Sequence, residues 1–446
     1  MSHLKCILAV IIIFTFIIRL IFLHPSFSDE NVYFLMGKSL TEGKTPYKDF
    51  FFAHPPLQIY TLALLFSVFG SSFIIGKMLT LITSTLCVVL TFLISKELFD
   101  EKTAFITAII FLVAPAFLAF STMGHGMWET MFLVLLSTYL LIKNKLYLSG
   151  ITLVAAIFFR YLTIIYFPFF LVLLYLRKQK FKQFLISFFL TFLVSSTLIL
   201  CTFGSDYINQ TISYHVFSKV VQATPMSQMM QYWSMGYFFL FLSLISGFIA
   251  YTKKDKLLLL FAVTPLIADI LILLGLRLIF YHYFFISLAF CVIAAGRVLT
   301  ISKDWIVKVM IPLILFLSIV SNIKTLDFYL NPSHAENYYY IAEFIQNNTS
   351  QPDKIFGEPV VTNYVSFVTG KEIASDYLDS YLGHLMFEGE DTVIQKIDKE
   401  KPKFIIEMEG YYMTDPYLKE YILKNYRLDT EVPGIPRDFI YRRIGY

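Results

Sequence analysis

The sequence predicts a polytopic, all-α membrane protein of about 11 transmembrane helices, with a structured first extracytoplasmic loop and a small C-terminal extracytoplasmic α/β domain. Composition is the first reason: 57% of the residues are hydrophobic and only 15% are charged, whereas a soluble domain carries about 25% charged residues. The second reason is the pattern of the loops, since basic residues cluster in each loop that the span order assigns to the cytoplasm.

The expected spans are apolar segments long enough, singly or as paired short helices, to enter the bilayer. They are residues 6–23, 73–95, 104–120, 129–142, two short helices within 147–176, 184–203, 237–251, 257–275, 283–299 and 306–323. Lys5 precedes the first span and an acidic loop follows it, which predicts a cytoplasmic N-terminus. An odd number of spans then places the C-terminus outside the cytoplasm, in a multi-pass protein of the plasma or inner membrane.

Two apolar segments do not fit a simple crossing. Residues 57–69 are too short to cross about 30 Å of hydrocarbon, so we expect an interfacial helix inside the first loop. Residues 147–176 carry basic residues at both ends. A single span cannot begin and end on one side, so two short helices should meet near Arg160 and place it at the outer rim.

The chain divides by composition near residue 324. Residues 1–323 form the predicted membrane domain, with the first extracytoplasmic loop at 24–72, and residues 324–446 form the predicted α/β domain. In the latter, residues 354–356 and 403–407 are typical of short buried strands, and 337–346 and 391–399 of helices.

The small net charge of +4 comes from lysines beside hydrophobic ends, so we expect no nucleic-acid partner. The four cysteines lie in or next to apolar runs without metal-binding spacing, which indicates buried free thiols.

The first loop holds most of the candidate chemistry. Asp29, Glu30, Asp49 and His54 lie close together in sequence, beside segments almost free of charge. Ionisable groups next to a bilayer are costly, which favours a functional site. The alternatives are a merely polar loop and, for Asp29 and Glu30, ordinary capping of a helix N-terminus.

Other candidates come from later loops on the same predicted side. Arg160 in an apolar context requires an anionic partner, either a lipid phosphate or an acid of the first loop, unless it simply extends to the interface. Glu129 is a candidate second acid or substrate ligand, and with Asp29 it could hold a divalent metal, although no spacing rule supports a metal site. Candidate phosphate or sugar contacts are Lys219, Arg277 and His282, and candidate aromatic surfaces for a sugar are Tyr33 and Tyr47.

Several motifs of the first 100 residues carry a family resemblance. They are Asp29–Glu30–x–x–Tyr33, Gly43–x–x–Pro46–Tyr47–x–Asp49, His54–Pro55–Pro56–Leu57 and Phe69–Gly70–Ser71. With the many-span layout, they make the chain resemble the GT-C superfamily of polyprenyl-phosphate-sugar glycosyltransferases, in its protein O-mannosyltransferase and ArnT-like branch.

The resemblance implies a GT-C catalytic membrane domain that moves one sugar from a polyprenyl-phosphate carrier to a lipid, glycan or protein acceptor, among membrane lipids. It implies that Asp29 is the catalytic base, supported by Glu30, and that attack inverts the anomeric carbon. Arg160, with Lys219 or Arg277, would neutralise the departing phosphate. The chain has Glu129 where the family often has Asp, and Lys77 where arginine is commoner, which leaves metal use open.

Two other classes stay open at this stage. A lipid or solute transporter or flippase without transferase activity should show repeated halves and ionisable groups near the middle of the membrane. A non-catalytic scaffold would leave Asp29, Glu129 and Arg160 far apart in space.

Overall fold

The computed structural model describes residues 2–218, 241–275, 281–331, 333–434 and 437–445. The α-helices before the first gap are α1 (Ser2–Arg19), α2 (Glu30–Thr41), α3 (Leu57–Phe69), α4 (Phe73–Leu98), α5 (Glu101–Val113), α6 (Pro115–Phe120), α7 (Met127–Ile142), α8 (Leu146–Phe159), α9 (Phe167–Leu176) and α10 (Phe181–Ile208). Those between the first gap and the C-terminal region are α11 (Phe241–Lys253), α12 (Lys256–Gly275), α13 (Phe285–Ile301), α14 (Trp305–Ser321) and α15 (Ile323–Leu330).

Within the described residues, four helices are long and apolar enough to cross a membrane: Phe73–Leu98, Phe181–His215, Lys256–Leu274 and His282–Ile301. Seven further apolar helices have 10–17 residues, among them α3 and the pair α8 and α9. The predicted multi-pass helical bundle is therefore confirmed, whereas the number of eleven crossings stays a prediction.

The C-terminal region combines helices with a four-stranded sheet. Its helices are α16 (Ser333–Asn348), α17 (Pro359–Thr369), α18 (Leu382–Glu388), α19 (Glu390–Glu400) and α20 (Pro416–Asn425). Its strands are β1 (Ile355–Gly357), β2 (Phe404–Met408), β3 (Tyr426–Val432) and β4 (Asp438–Arg443), in the order β1-β2-β4-β3. β1 and β2 are parallel and the other two pairs are antiparallel. The two predicted strands are confirmed, and the hairpin of β3 and β4 was not predicted.

Carboxylate caps begin several of these helices. Asp100 accepts a hydrogen bond from the Thr103 amide at 2.8 Å, and Asp415 accepts one from the Leu418 amide at 2.8 Å. Glu358 caps α17, whose first residue is a proline and which ends at Gly370 with a φ of 71°. These side chains satisfy amides that have no partner inside the helix. The C-terminal region therefore carries clear local start signals.

Two of the three hydrophobic clusters among the described residues position the site. The first lies among the membrane helices and includes Phe111, Trp128 and Phe290. The second joins the first loop to the C-terminal region, since Phe34 of α2 and Val365 of α17 belong to the same buried cluster. The C-terminal region is thus seated on α2, at the first-loop end of the bundle.

Candidate active site

Asp29 lies immediately before α2, but its carboxylate does not cap that helix. Its backbone has a φ of −59°, and the side chain makes no capping hydrogen bond. Instead, the Tyr381 hydroxyl donates to Asp29 Oδ1 at 2.5 Å. Asp29 is half-buried. Helix capping therefore does not account for this carboxylate.

Glu30 has the opposite environment, fully buried and held by its neighbours. Its Oε1 lies 3.0 Å from Lys77 Nζ of α4, and its Oε2 accepts from the Gly124 amide at 2.8 Å. The Ser26 amide also donates to Oε1 at 3.2 Å. A buried carboxylate with these partners ties α2 to α4 and to the loop before α7. This set of contacts favours a structural role in place of the supporting catalytic role expected from the sequence.

Arg160 lies in a break between two short helices. α8 ends at Phe159, Arg160 is extended with a φ of −149° and a ψ of 118°, and a 3₁₀ turn leads into α9. Arg160 is 6% exposed, and its guanidinium donates to the carbonyls of Phe159 and His125. The two predicted short helices are thus present, and they meet at the expected residue.

Tyr33 interacts with both Asp29 and Arg160. It follows Asp29 by four residues and so lies on the same face of α2. The Arg160 guanidinium carbon is 5.1 Å from the Tyr33 ring centroid. Burial raises the pKa of Tyr33 above its usual range, while Arg160 lowers it and Asp29 raises it further. Tyr283 also lies within electrostatic range of both Asp29 and Arg160. The sequence-predicted acid and cation therefore act electrostatically on the same two tyrosines, Tyr33 and Tyr283.

Glu129 and His282 lie around this centre. Glu129 is buried, and its Oε1 accepts from Thr80 at 2.7 Å, while its Oε2 has no hydrogen-bond partner among the described residues. The His282 ring stacks on His125, with centroids 5.3 Å apart. Burial, together with Arg160 and Lys77, lowers the pKa of His125 to about 3, so this imidazole is neutral at physiological pH.

The remaining first-loop candidates divide into two groups. His54 is half-buried, with its ring 5.9 Å from Tyr33 and stacked 5.8 Å from His215. Tyr47 is buried against Phe203 and donates its hydroxyl to the His54 carbonyl at 2.7 Å. Asp49 is exposed and accepts from the Thr45 amide at 2.6 Å. His54 thus borders the site, whereas Tyr47 and Asp49 shape the loop and are not brought to Arg160.

Lys219 and Arg277, the other predicted phosphate contacts, lie outside the described residues.

Sequence reasoning missed a C-terminal segment that reaches the site. Besides Tyr381, it contains Asp379, whose Oδ1 is 2.6 Å from His384 Nδ1. The His384 ring lies 4.6 Å from both Phe51 and Tyr214. The segment has no periodic pattern, and its contact with Asp29 spans 352 positions of the chain. Its acidic and aromatic residues were the only features of the sequence that could have indicated a role in the site.

The carboxylates do not form a metal site in the described part of the chain. No group of three or more His, Cys, Asp or Glu side chains is placed there to hold a metal ion. Asp29 contacts Tyr381, and Glu129 contacts Thr80. The described residues therefore give no support to the divalent metal that the sequence left open.

A groove of about 390 Å³ lies between α3, α8 and α10. Its walls include Pro56, two residues after His54, and Phe158, two residues before Arg160, with Tyr60 of α3 and Val154 of α8. Leu198 of α10, which also lines it, is 63% exposed. The groove is apolar and therefore suits a hydrocarbon chain better than a polar solute.

The fold of this helical bundle and its C-terminal region has solved counterparts. ArnT from Cupriavidus metallidurans, solved with undecaprenyl phosphate bound, matches 100% of this chain and 99% of its own at 11% identity and a TM-score of 0.65. The oligosaccharyltransferase AglB from Archaeoglobus fulgidus, solved with an inhibitory peptide and a dolichol-phosphate, matches 99% of this chain and 74% of its own at 13% identity and a TM-score of 0.50. The chain therefore has the fold of these GT-C proteins.

Sequence comparison agrees with the fold. The family model described as dolichyl-phosphate-mannose-protein mannosyltransferase matches residues 53–203. Dolichyl-phosphooligosaccharide-protein glycotransferase 2 of Archaeoglobus fulgidus is 38% identical over 133 residues, in a match that covers 26% of this chain and only 22% of that relative. The predicted resemblance to GT-C superfamily glycosyltransferases is confirmed.

Proposed function

We propose that this protein is a membrane glycosyltransferase that moves a single sugar from a polyprenyl-phosphate carrier to an acceptor outside the cytoplasm. One observation carries the proposal: the Arg160 guanidinium lies over the Tyr33 ring, Asp29 acts electrostatically on the same tyrosine, and Phe158, two residues before Arg160, lines an apolar groove. A lipid-phosphate sugar needs a hydrocarbon groove, a cation for its phosphate and a base for the acceptor, and we assign these roles to the groove, Arg160 and Asp29.

In this mechanism Asp29 takes the proton of the acceptor hydroxyl as the oxygen attacks the anomeric carbon. The bond from that carbon to the acceptor oxygen forms, and the bond to the phosphate oxygen breaks, with its electron pair leaving on the phosphate. Arg160 stabilises the negative charge that develops on the leaving phosphate. Attack in line with the leaving group inverts the configuration of the sugar.

The contact between Tyr381 and Asp29 supports the proposed orientation. It requires the first loop and the C-terminal region to lie on the same side of the membrane. If α1 crosses once, the chain must then cross an even number of times between them, which agrees with an odd total. We propose that this side is extracytoplasmic, with the N-terminus of the chain in the cytoplasm, and that residues 324–446 form the outer domain.

The test is transfer by Asp29→Asn in proteoliposomes supplied with a labelled polyprenyl-phosphate sugar and an extract of envelope acceptors. Loss of a general base predicts a fall of about 10²- to 10⁴-fold in the transfer rate. Asp49→Asn is the matched control, since Asp49 is an exposed acid of the same loop that should not affect transfer. Undiminished transfer by a folded Asp29→Asn protein would rule out the assignment of the base.

A further inference from the structure

Tyr381 reaches the proposed base from the C-terminal region. Its hydroxyl donates to Asp29 Oδ1 at 2.5 Å, a distance typical of a hydrogen bond to an ionised carboxylate. Burial, with Asp29 adding to the effect, raises the pKa of Tyr381 well above its usual range. The phenol therefore stays protonated at physiological pH and acts as a donor.

The segment before Tyr381 is fixed to the C-terminal sheet. Ser380 Oγ donates to the Gly357 carbonyl at 2.7 Å, and the Tyr412 hydroxyl donates to the Ser380 carbonyl at 3.0 Å. The Asn363 side chain donates to the Leu378 carbonyl at 2.7 Å. These bonds hold the backbone on both sides of Asp379, so the position of the Tyr381 ring is set by the C-terminal domain.

The C-terminal domain is in turn fixed to the first loop. Asn31 of α2 donates to the Val360 carbonyl of α17 at 2.9 Å, and Lys38 donates to the Phe367 carbonyl at 2.9 Å. Lys44 forms an ion pair with Asp376. Tyr381 therefore belongs to the C-terminal domain and Asp29 to the first loop, and contacts along α2 join these two parts of the chain.

Ser375 and Asp376, which lead into the segment, both have left-handed φ values of 56° and 54°. Such backbone is unfavourable for residues other than glycine and persists where the surrounding contacts impose it. These two residues lie between Ile373, which forms a bridge with Ile355 of β1, and Tyr381. The turn that they make directs Tyr381 toward Asp29, just before α2.

We propose that Tyr381 is a positioning residue for Asp29, so that the C-terminal domain completes the active site of the membrane domain. The proposal rests on the proposed function, in which Asp29 is the base. The hydrogen bond fixes the carboxylate in the orientation that faces the acceptor, and it stabilises the ionised form that must accept the proton.

The test is the pH dependence of transfer by Tyr381→Phe in the full-length protein in proteoliposomes. A carboxylate without this donor is ionised less readily, so the acid limb of the pH profile of kcat/KM should move to higher pH by about one unit. Misorientation of the base should lower kcat by about 10- to 100-fold, with KM for the lipid-linked donor unchanged. A merely structural tyrosine would not move the acid limb.

Tyr377→Phe is the matched control, because Tyr377 lies four residues earlier and donates to the exposed Glu388 at 2.6 Å instead of to the site. Its pH profile should match that of the unmodified protein. Where Tyr381→Phe does not fold, 3-fluorotyrosine placed at position 381 retains the shape of the side chain. As a stronger donor, it should move the acid limb to lower pH.

Asp29→Asn measured alongside separates the two claims. If Asp29→Asn abolishes transfer while Tyr381→Phe keeps both the kcat and the pH profile of the unmodified protein, the positioning role is wrong and the proposed function stands. If Asp29→Asn transfers normally, the assignment of the base itself has failed. An unmoved acid limb in both position-381 variants also overturns the inference.

Discussion

Asp29 and Glu30 are neighbours in the chain, yet their side chains have different surroundings. Glu30 points into the bundle, where Lys77, Ser26 and Gly124 hold it. Asp29 points toward the C-terminal domain and is half-buried. From the sequence motif alone, the two adjacent acids are equally good candidates for the catalytic base. The direction of each side chain in the structure distinguishes the structural carboxylate from the candidate base.

A substitution of Glu30 tests the structural role. Glu30→Gln leaves the Lys77 ammonium buried without its anionic partner, which should lower the free energy of unfolding by about 3–5 kcal/mol. The thermal unfolding midpoint of the protein in detergent should fall clearly. The double variant Glu30→Gln with Lys77→Met removes both charges and should be more stable than Glu30→Gln alone. Equal midpoints for Glu30→Gln and the unmodified protein would contradict this role.

At the residue scale, the sequence was sufficient to identify candidate site residues whose side-chain type conflicts with their surroundings. An arginine inside an apolar segment and acids beside a membrane are costly unless they have partners, which is why Arg160 and Asp29 could be predicted. Tyr381 could not be predicted, because a tyrosine in a polar segment costs nothing. Its importance depends on a contact with a residue 352 positions away.

At the scale of elements, helix lengths and charges gave the layout of the first-loop end. Residues 57–69, which the sequence predicts to form an interfacial helix, are the helix α3, and the following Gly70 has a φ of 87°. The break at Arg160 followed from basic residues at both ends of one apolar segment. The break at Pro115 was not predicted: residues 104–120 were expected as one span, but α5 ends at Val113 because Ala114 before the proline is extended.

The groove between α3, α8 and α10 gives a prediction about donor length. Ala155→Trp places an indole in the groove, so transfer from a long-chain polyprenyl-phosphate sugar should fall by about tenfold or more, because the hydrocarbon chain loses its contacts. Transfer from a short-chain analogue of the same sugar should change little. Initial rates with the two donors are the measurement.

Leu193→Trp is the control for this prediction, since Leu193 is 63% exposed on α10 and lies outside the groove. It should leave the rates with both donors unchanged. Equal losses with long and short donors in Ala155→Trp would show that the groove does not hold the chain.

At the scale of the whole molecule, the C-terminal region and the first loop fold against each other. Phe73 packs 5.4 Å from Tyr364, and Phe66 packs 5.8 Å from Phe367, so the shared core extends from the membrane helices into the C-terminal region. Composition located the change near residue 324 and predicted an α/β region. It could not predict this packing, because the alternation of polar and apolar residues does not identify the partner of a buried face.

Three buried acids make the stability of the C-terminal region dependent on pH. Burial and repulsion from Asp438 raise the pKa of Glu358 to about 8, and burial raises the pKa values of Glu407 and Asp438 to about 7. The folded state therefore keeps protons that the unfolded chain has released at neutral pH. Stability should be highest below about pH 4 as far as these groups contribute, and should fall as the pH rises toward 8.

The measurement is the thermal unfolding midpoint of the detergent-solubilised protein at pH 5.5 and pH 8.5. The midpoint should be lower at pH 8.5, since each group contributes up to about 1.4 kcal/mol per pH unit between its unfolded and folded pKa values. Asp438→Asn removes one acid and also removes its repulsion on the Glu358 carboxylate. The difference between the midpoints at pH 5.5 and pH 8.5 should therefore shrink. A midpoint that rises with pH, or an unchanged difference in Asp438→Asn, would contradict this account.

We propose that Asp29, Arg160 and the apolar groove form one site for a lipid-linked phosphate. A cryo-electron microscopy structure of the full-length protein in a lipid nanodisc with undecaprenyl phosphate tests this proposal directly. We expect phosphate density beside the Arg160 guanidinium and hydrocarbon density along the groove between α3 and α10. Phosphate density at the opposite end of the bundle, beside Lys143 and Arg177, with the groove empty, would contradict it.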